Sequence, residues 1–317
     1  MRHLFVVLVV TAAAAVAHAS RKYMGAGPAI TGRGNYACSF SLYGLGSDGR
    51  IPDMYMAGML HNLVLLESVL PNWGVWVYTA DNIPADQEAE LREYGGDRLK
   101  LIKMPIAGIR SPLEPRMWRF LIADDPDLDV FMVMDADCRM WSRKLHPLDA
   151  FMRSNHSVLT LHDHPLHTTP MLAGLWGGRT RVVERRCGKT MKSMIDTWPD
   201  LLGWGGGGAA HDRDVLRYGV WPCVKDVAWS MASARVVLGR YCNGAAQCSP
   251  LPKAWDHVMS RQPHGFDWLG RKHHTDETHF CHPNPYYCYP VSGITPARAR
   301  NLTLYLAGNL DLSFPWR

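Results

Sequence analysis

Lysine and arginine never gather into a dense tract in this chain, although together they number 34 against 29 acidic residues. The formal net charge of +5 at pH 7 is spread along the sequence and partly carried by its first residues. Such a surface suits anionic ligands but lacks the footprint of a nucleic-acid binder. Internal repeats and low-complexity segments are also missing, and nothing in the composition points to disorder. Beyond the first twenty residues, no apolar run is long enough to span a bilayer. What is present is ordinary for a globular protein: 317 residues, 47% hydrophobic and 20% charged. That length suits one large domain or two modest ones, with enough apolar material for a core.

The opening residues, MRHLFVVLVVTAAAAVAHAS, place Arg2 and His3 before an apolar run from Leu4 to Ala17. Ala17-His18-Ala19 then offers a small-x-small cleavage site, so residues 1–19 are expected to be a secretory signal peptide. Left uncleaved, the same segment would be a signal-anchor, the one way this chain would be membrane-bound. Either way the body is expected in the secretory pathway, lumenal in the ER or Golgi, or secreted. Asn155-His156-Ser157 and Asn301-Leu302-Thr303 are N-glycosylation sequons, which agree with that compartment. So does the even count of eight cysteines, from which several disulfides are expected. Cys242 with Cys248, and Cys281 with Cys288, are near enough to close small loops. Cys138 is alternatively a buried free thiol.

Along the chain, strand and helix patterns alternate. Ala37 to Gly44 reads as a strand ending at glycine, and IPDMYMAGMLHNLVLLESVLPNW as a helix that Asp53 can cap and Pro71 stops. Val75 to Asp81 and Leu99 to Met104 read as strands around a short helix ending at Gly95. Glu114 to Asp125 suits a helix, and DVFMVMDAD is the fourth strand. SVLTLHDHPLH reads as a strand entering a polar loop, MLAGLWGGR as a short glycine-filled apolar stretch, and VVERRCGKTMKSMIDTW as a helix. A glycine-rich loop then precedes a short helix that runs to Trp221-Pro222. This alternation predicts an α/β fold with a mainly parallel sheet flanked by helices. Residues 37–222 are expected to form its main body, and residues 223–317 a loop-rich, disulfide-stapled extension packed on the same domain.

In such sheets, ligands bind beyond the carboxyl ends of the strands. Asp135-Ala136-Asp137 sits at one such end, after an uncharged apolar strand, and the Tyr43-Gly44 turn sits at another. Two carboxylates one residue apart repel unless something compensates them. A hard divalent cation, Mg²⁺ or Mn²⁺, is the simplest compensation, and two acids would leave it open positions for diphosphate oxygens. Taken on spacing alone, the pair is more readily an acidic turn after a strand. HDHPLH adds a second metal option, because His162, His164 and His167 with Asp163 have zinc-ligand chemistry. On a strand, His162 and His164 point the same way.

FMVMDADCRM resembles the Asp-x-Asp region of the GT-A glycosyltransferases, nucleotide-sugar-dependent enzymes with a Rossmann-like sheet. The surroundings resemble one group of them, with motifs in the same order from Ala37 to Pro222. These are Ser41-Leu42-Tyr43-Gly44, Arg119-Phe120-Leu121 with Asp124-Asp125, Asp163-His164-Pro165-Leu166-His167, Ala173-Gly174-Leu175-Trp176-Gly177, and Asp212-Arg213-Asp214-Val215-Leu216 running to Trp221-Pro222. The chain departs from the group's pattern at Met134, Cys138, His162 and Arg213, where the group has a basic residue, Ser, Arg and Gln.

The resemblance implies transfer of a sugar from a nucleotide-sugar donor to a hydroxyl of a glycan, glycoprotein or glycolipid acceptor. Asp135 and Asp137 would hold Mn²⁺ or Mg²⁺. Tyr43, Gly44, Arg119 and Asp135 would bind the donor, while His164, Gly174 and Trp176 would shape the sugar and acceptor side. Asp212 or Asp163 would serve as base for an inverting reaction. Each has a plainer alternative: Arg119 as a surface ion pair with Asp124 or Asp125, Gly174 and Trp176 as a turn and a core tryptophan, Asp212 as a helix cap. A third metal ligand would come from late histidines such as His257, His264, His273, His274, His279 or His282. Two other classes compete with the transferase. One is a non-catalytic carbohydrate- or nucleotide-binding protein of the same fold; the other is a zinc hydrolase built on His162, His164 and His167.

Overall fold

The computed structural model describes residues 34–232 except 45, 110–113, 137, 139, 141, 163–168 and 202–211. It also describes residues 245, 247–250, 279–281 and 288–290. An eight-stranded mixed sheet organises them, in the order β3-β2-β1-β4-β6-β5-β7-β8. The strands are β1 Tyr36–Ser41, β2 Trp73–Ala80, β3 Leu99–Met104, β4 Val130–Met134, β5 Val158–His162, β6 Leu175–Arg179, β7 Ala228–Ala232 and β8 Gln247–Pro250. All neighbours pair in parallel except at β6, which runs antiparallel to β4 and to β5. The expected α/β architecture with a mainly parallel sheet is therefore the observed one.

Helices cover both faces, which is why the central strands carry apolar residues on both sides. Helix α1 (Asp53–Val69) lays Met59, Leu60, Leu63 and Leu66 against Cys38 and Phe40 of β1, Val75 and Val77 of β2 and Met132 of β4, all nearly or fully buried. Helix α2 (Ala85–Gly95) adds Leu91 to that layer, and α3 (Ser142–Met152) adds Leu148 and Phe151. The opposite face of the sheet, with Ala37, Phe131, Val133 and Trp176, receives α4 (Val182–Cys187) and α5 (Met191–Leu201). It also receives a helical stretch built from α6 (Asp212–Asp214), a π-turn (Val215–Val220) and α7 (Trp221–Val224).

Several departures from the sequence reading have physical causes. The glycine-filled MLAGLWGGR is the central strand β6, because its backbone is paired on both sides and its lack of β-formers is overridden by burial. Glu114–Asp124 is a 3₁₀ helix rather than an α-helix. Its backbone at Arg119 is engaged from β1: Ser39 Oγ donates to the Arg119 carbonyl (2.7 Å), and the Arg119 amide donates to Ser41 Oγ (2.9 Å). Helix α1 begins after Pro52 with no side-chain cap, so Asp53 contributes only its charge to the first turn. The VVERR…DTW helix is two helices, separated at Gly188–Thr190. Strands β7 and β8 carry the main sheet past residue 222, so the segment from 223 begins inside the domain.

A disulfide joins Cys187 at the end of α4 to Cys223 in α7, with Cα atoms 5.3 Å apart. Cys38 and Cys138 are buried. Burial pushes the Cys38 thiol up to about 12. Cys281 stands opposite Cys288 across the two-stranded ribbon of β9 (His279–Cys281) and β10 (Cys288–Pro290), the register a short disulfide loop would need. Cys242 and Asn301 lie outside the described residues. No helix among the described residues is long and apolar enough to cross a membrane.

Candidate active site

The sheet order reverses between β1 and β4. From β1 the chain proceeds outward to β2 and β3, whereas from β4 it proceeds to the other side. Crevices outside the carboxyl ends of strands at such a switch point are the ligand sites of open α/β sheets. Tyr43 and Gly44 follow β1 here, and Asp135 follows β4. Because β6 is antiparallel, its amino end reaches the same edge: Leu175 pairs with Met134, which sets Gly174 beside Asp135.

The contact between them is close. A Cβ at Gly174 would stand 2.0 Å from Asp135 Oδ2 and 2.4 Å from its Cγ, so only a glycine leaves room for this carboxylate. Across the crevice the Arg119 guanidinium, 93% buried at the side chain, meets the same group: Nη1 lies 2.5 Å from Asp135 Oδ1. Its other arm, Nη2, donates to Asp212 Oδ2 at 3.0 Å. Asp212 Oδ1 accepts the Arg213 amide at 2.9 Å, so both oxygens of Asp212 are engaged. Three groups distant in sequence thus form one chain, Asp135–Arg119–Asp212, and Asp135 is the most exposed of them.

β1 builds the support. Ser39 and Ser41 point to one side of the strand and hold the Arg119 main chain, and Ser41 Oγ also lies 3.4 Å from the Arg116 carbonyl as donor. Burial raises the Tyr43 phenol above its ordinary range, opposed mainly by a hydrogen bond with Arg116 and by the Arg116 charge, and then by the charge of Arg119. The Tyr43 ring packs edge-on to Trp118, with centroids 5.8 Å apart. Gly44 is buried where the Arg50 carbonyl oxygen would lie 2.2 Å from a Cβ. From below, Asn62 of α1 donates to the Ala136 carbonyl (3.1 Å), and the Cys138 amide donates to the Asp135 carbonyl (3.0 Å). These bonds fix the turn that carries Asp135.

The structure therefore brings Tyr43, Gly44, Arg119, Asp135, Gly174 and Asp212 to one edge of the sheet, at the carboxyl ends of β1 and β4. Asp137, Asp163, His164 and His167 lie outside the described residues. Trp176 corrects the reading: it is fully buried, edge-on to Phe131 (5.1 Å) and Phe120 (5.9 Å), and belongs to the core rather than to an acceptor surface. Its place on β6 turns its ring into the packed layer formed with Phe120 and Phe131. Arg119 is not a surface ion pair. Asp124 instead caps α5 by accepting the Met191 and Lys192 amides (2.7 and 2.8 Å), and Asp125 faces Lys100 at 3.7 Å.

His162 is also fully buried, with Nε2 3.2 Å from Thr160 Oγ1, which in turn meets Ser230 Oγ at 2.8 Å. Burial depresses its titration to about 4, opposed by a hydrogen bond with the Pro170 backbone, so it is neutral at physiological pH. Among the described residues no group of three His, Cys, Asp or Glu side chains is arranged to hold a metal ion. Ser39 and Asn62 are in none of the motifs, and Ser41 enters them only as the first residue of Ser41-Leu42-Tyr43-Gly44. The polar alternation of Ser39 and Ser41 inside an apolar strand is the one signal that marks two of them.

No family model matches the chain, and no curated protein matches it. Among solved structures it is similar to a mannosyltransferase, PcManGT, from Pyrobaculum calidifontis in complex with GDP-Man and Mn²⁺ (13% identity, 60% of each chain, TM-score 0.36). It is also similar to the glycosyltransferase GlyE in Streptococcus pneumoniae (15% identity, 62% of this chain and 45% of that one, TM-score 0.42). A third is a galactosyltransferase, LgtC, in complex with donor and acceptor sugar analogs (16% identity, 63% and 73%, TM-score 0.40). The alignment spans less than two thirds of the first two of these chains. The case for function rests on the residues of this chain.

Proposed function

We propose that this protein is a divalent-cation-dependent glycosyltransferase that moves a sugar from a nucleotide-diphosphate donor to a hydroxyl acceptor. The observation that carries the reading is the buried Arg119 shared between Asp135 and Asp212 at the switch point of the sheet. A buried guanidinium with two carboxylates is costly to build, because desolvating three charges opposes folding. Their position at the ligand edge of the sheet supports a functional reason for keeping them.

Asp135 suits a hard cation: its carboxylate is 30% exposed, faces the crevice and has room only because residue 174 is glycine. In this reading Asp135 and Asp137 would hold Mn²⁺ or Mg²⁺, which neutralises the diphosphate leaving group when bound. Arg119, its fork held by Asp135 and Asp212 and its backbone by Ser39 and Ser41, brings its charge and the Asp135 carboxylate to the donor's phosphate or ribose side. Tyr43 and Gly44 border the nucleotide. Both Asp212 oxygens are already engaged, so Asp212 acts as a positioning residue for Arg119. The general base, if configuration inverts, is then Asp163, and His164 contacts the sugar.

The alternative of a binding protein with the same fold is separated by a donor screen. Purified protein is offered several nucleotide sugars with Mn²⁺, and free nucleoside diphosphate is measured. The expected result is hydrolysis or transfer with one donor, reduced at least tenfold by chelation. Silence with every donor, despite metal-dependent nucleotide binding, would favour the binding protein. For the zinc hydrolase, His162 is unsuitable as drawn, since its ring is buried against Thr160 and Pro170.

A further inference from the structure

We propose that Asn155 is an N-glycosylation site, carrying its glycan at the end of the sheet opposite the candidate active site. The sequon Asn155-His156-Ser157 occupies the turn between α3 and β5, and Asn155 itself is exposed. The turn is built around Arg179 of β6. Its guanidinium donates to the carbonyls of His156 (3.0 Å), Ser154 (2.8 Å) and Met152 (3.4 Å). Those carbonyls all face inward, and they flank Asn155.

The neighbours of Asn155 are tied as well. Ser154 Oγ donates to the Phe151 carbonyl (2.7 Å) and accepts the His156 amide (3.2 Å). The Ser157 amide donates to Val227, and the Ser157 carbonyl accepts from Arg179, both at 2.9 Å. The His156 ring rests on Trp229 at 5.3 Å between centroids. Asn155 makes no hydrogen bond among the described residues. The turn, fixed on both sides of Asn155, thus displays an exposed carboxamide to solvent.

The placement leaves the crevice open. β5 is antiparallel to β6, which is antiparallel to β4, so β5 runs the same way as β4. Asn155 precedes β5, while Asp135 follows β4. The five residues of a strand keep the two roughly 15 Å apart or more. The Cys187–Cys223 disulfide is the bond of an oxidising compartment, where this modification occurs, and the leader read from the sequence supports the same address. In the reaction Asn155 Nδ2 bonds to C1 of an oligosaccharide. The bond from C1 to its polyprenyl diphosphate carrier breaks, and the diphosphate leaves with the amide proton. This inference does not rest on the transferase reading.

The test expresses the full chain in a eukaryotic secretory host and maps its peptides before and after peptide-N-glycosidase in heavy-oxygen water. The expected result is a labelled Asn→Asp conversion at position 155, lost in Ser157→Ala and Asn155→Gln, with both variants secreted and folded as the parent. An unmodified Asn155 peptide in the parent overturns the proposal, whether the chain stays out of the lumen or is glycosylated only at Asn301. Modification that persists in Ser157→Ala overturns it too.

Discussion

Replacing Gly174 by alanine is expected to reduce sugar transfer about 100-fold while the protein stays folded. The new Cβ would lie 2.0 Å from Asp135 Oδ2, well inside contact distance, and 3.0 Å from the Asp135 amide. The β6 backbone cannot retreat, since Leu175 is paired with Met134 in the middle of the sheet. The carboxylate must therefore swing away, and it takes the proposed cation ligand and a partner of Arg119 with it. A displacement of about 1 Å at a reacting centre costs on the order of 100-fold. Asp135 is partly exposed and can rehydrate, so the loss should fall on turnover and metal affinity, with melting little changed. Steady-state kinetics beside a thermal melt check this. Full activity in Gly174→Ala would show that the Asp135 carboxylate does not need its observed position.

Arg119→Met should destabilise the fold by about 3 kcal/mol and abolish transfer, because it leaves the largely desolvated Asp212 carboxyl without its partner. Asp135, with more exposure, recovers water and contributes less. For a domain of this size that corresponds to a fall of roughly 10 °C in melting temperature. The double variant Arg119→Met with Asp212→Asn should regain much of the stability and none of the activity, since it removes the stranded charge but not the need for the guanidinium. Arg119→Lys keeps the charge and loses the fork, so it should melt between the two and remain nearly inactive. Thermal denaturation of the four proteins decides it. Equal melting of Arg119→Met and the parent would mean the buried triad is not coupled as the geometry indicates.

Local patterns carried most of the sheet. The apolar strand cores, the helix between β1 and β2 and the carboxyl-end placement of Asp135 follow from periodicity and alternation, because both faces of the central strands are buried. β6 was hidden because its glycines give no strand signal; its pairing with β4 and β5 is long-range. The same limit applies to the site. Arg119 and Asp212 were each conspicuous in the sequence, but their ion pair joins residues 93 positions apart, and no spacing rule reports it. Arg119 had nearer acidic candidates in Asp124 and Asp125. Asp124 is instead taken by the unsatisfied amides at the start of α5, a demand that arises only once the helix is packed. The acceptor-side role of Trp176 comes from the resemblance alone, with a core tryptophan as its alternative. Once its stretch is a buried strand, the ring of Trp176 is covered by Phe120 and Phe131 and enters the core.

The central claim is that Asp135 and Asp137 hold a cation that in turn holds a nucleoside diphosphate, and calorimetric titration of UDP and GDP tests it most directly. Each nucleotide is titrated into the protein with Mn²⁺ and with chelator, and again into a folded Asp137→Asn variant. The account predicts binding of one nucleotide that requires Mn²⁺ and weakens at least tenfold in the variant. Nucleotide affinity that is the same with chelator and unchanged in Asp137→Asn would contradict it.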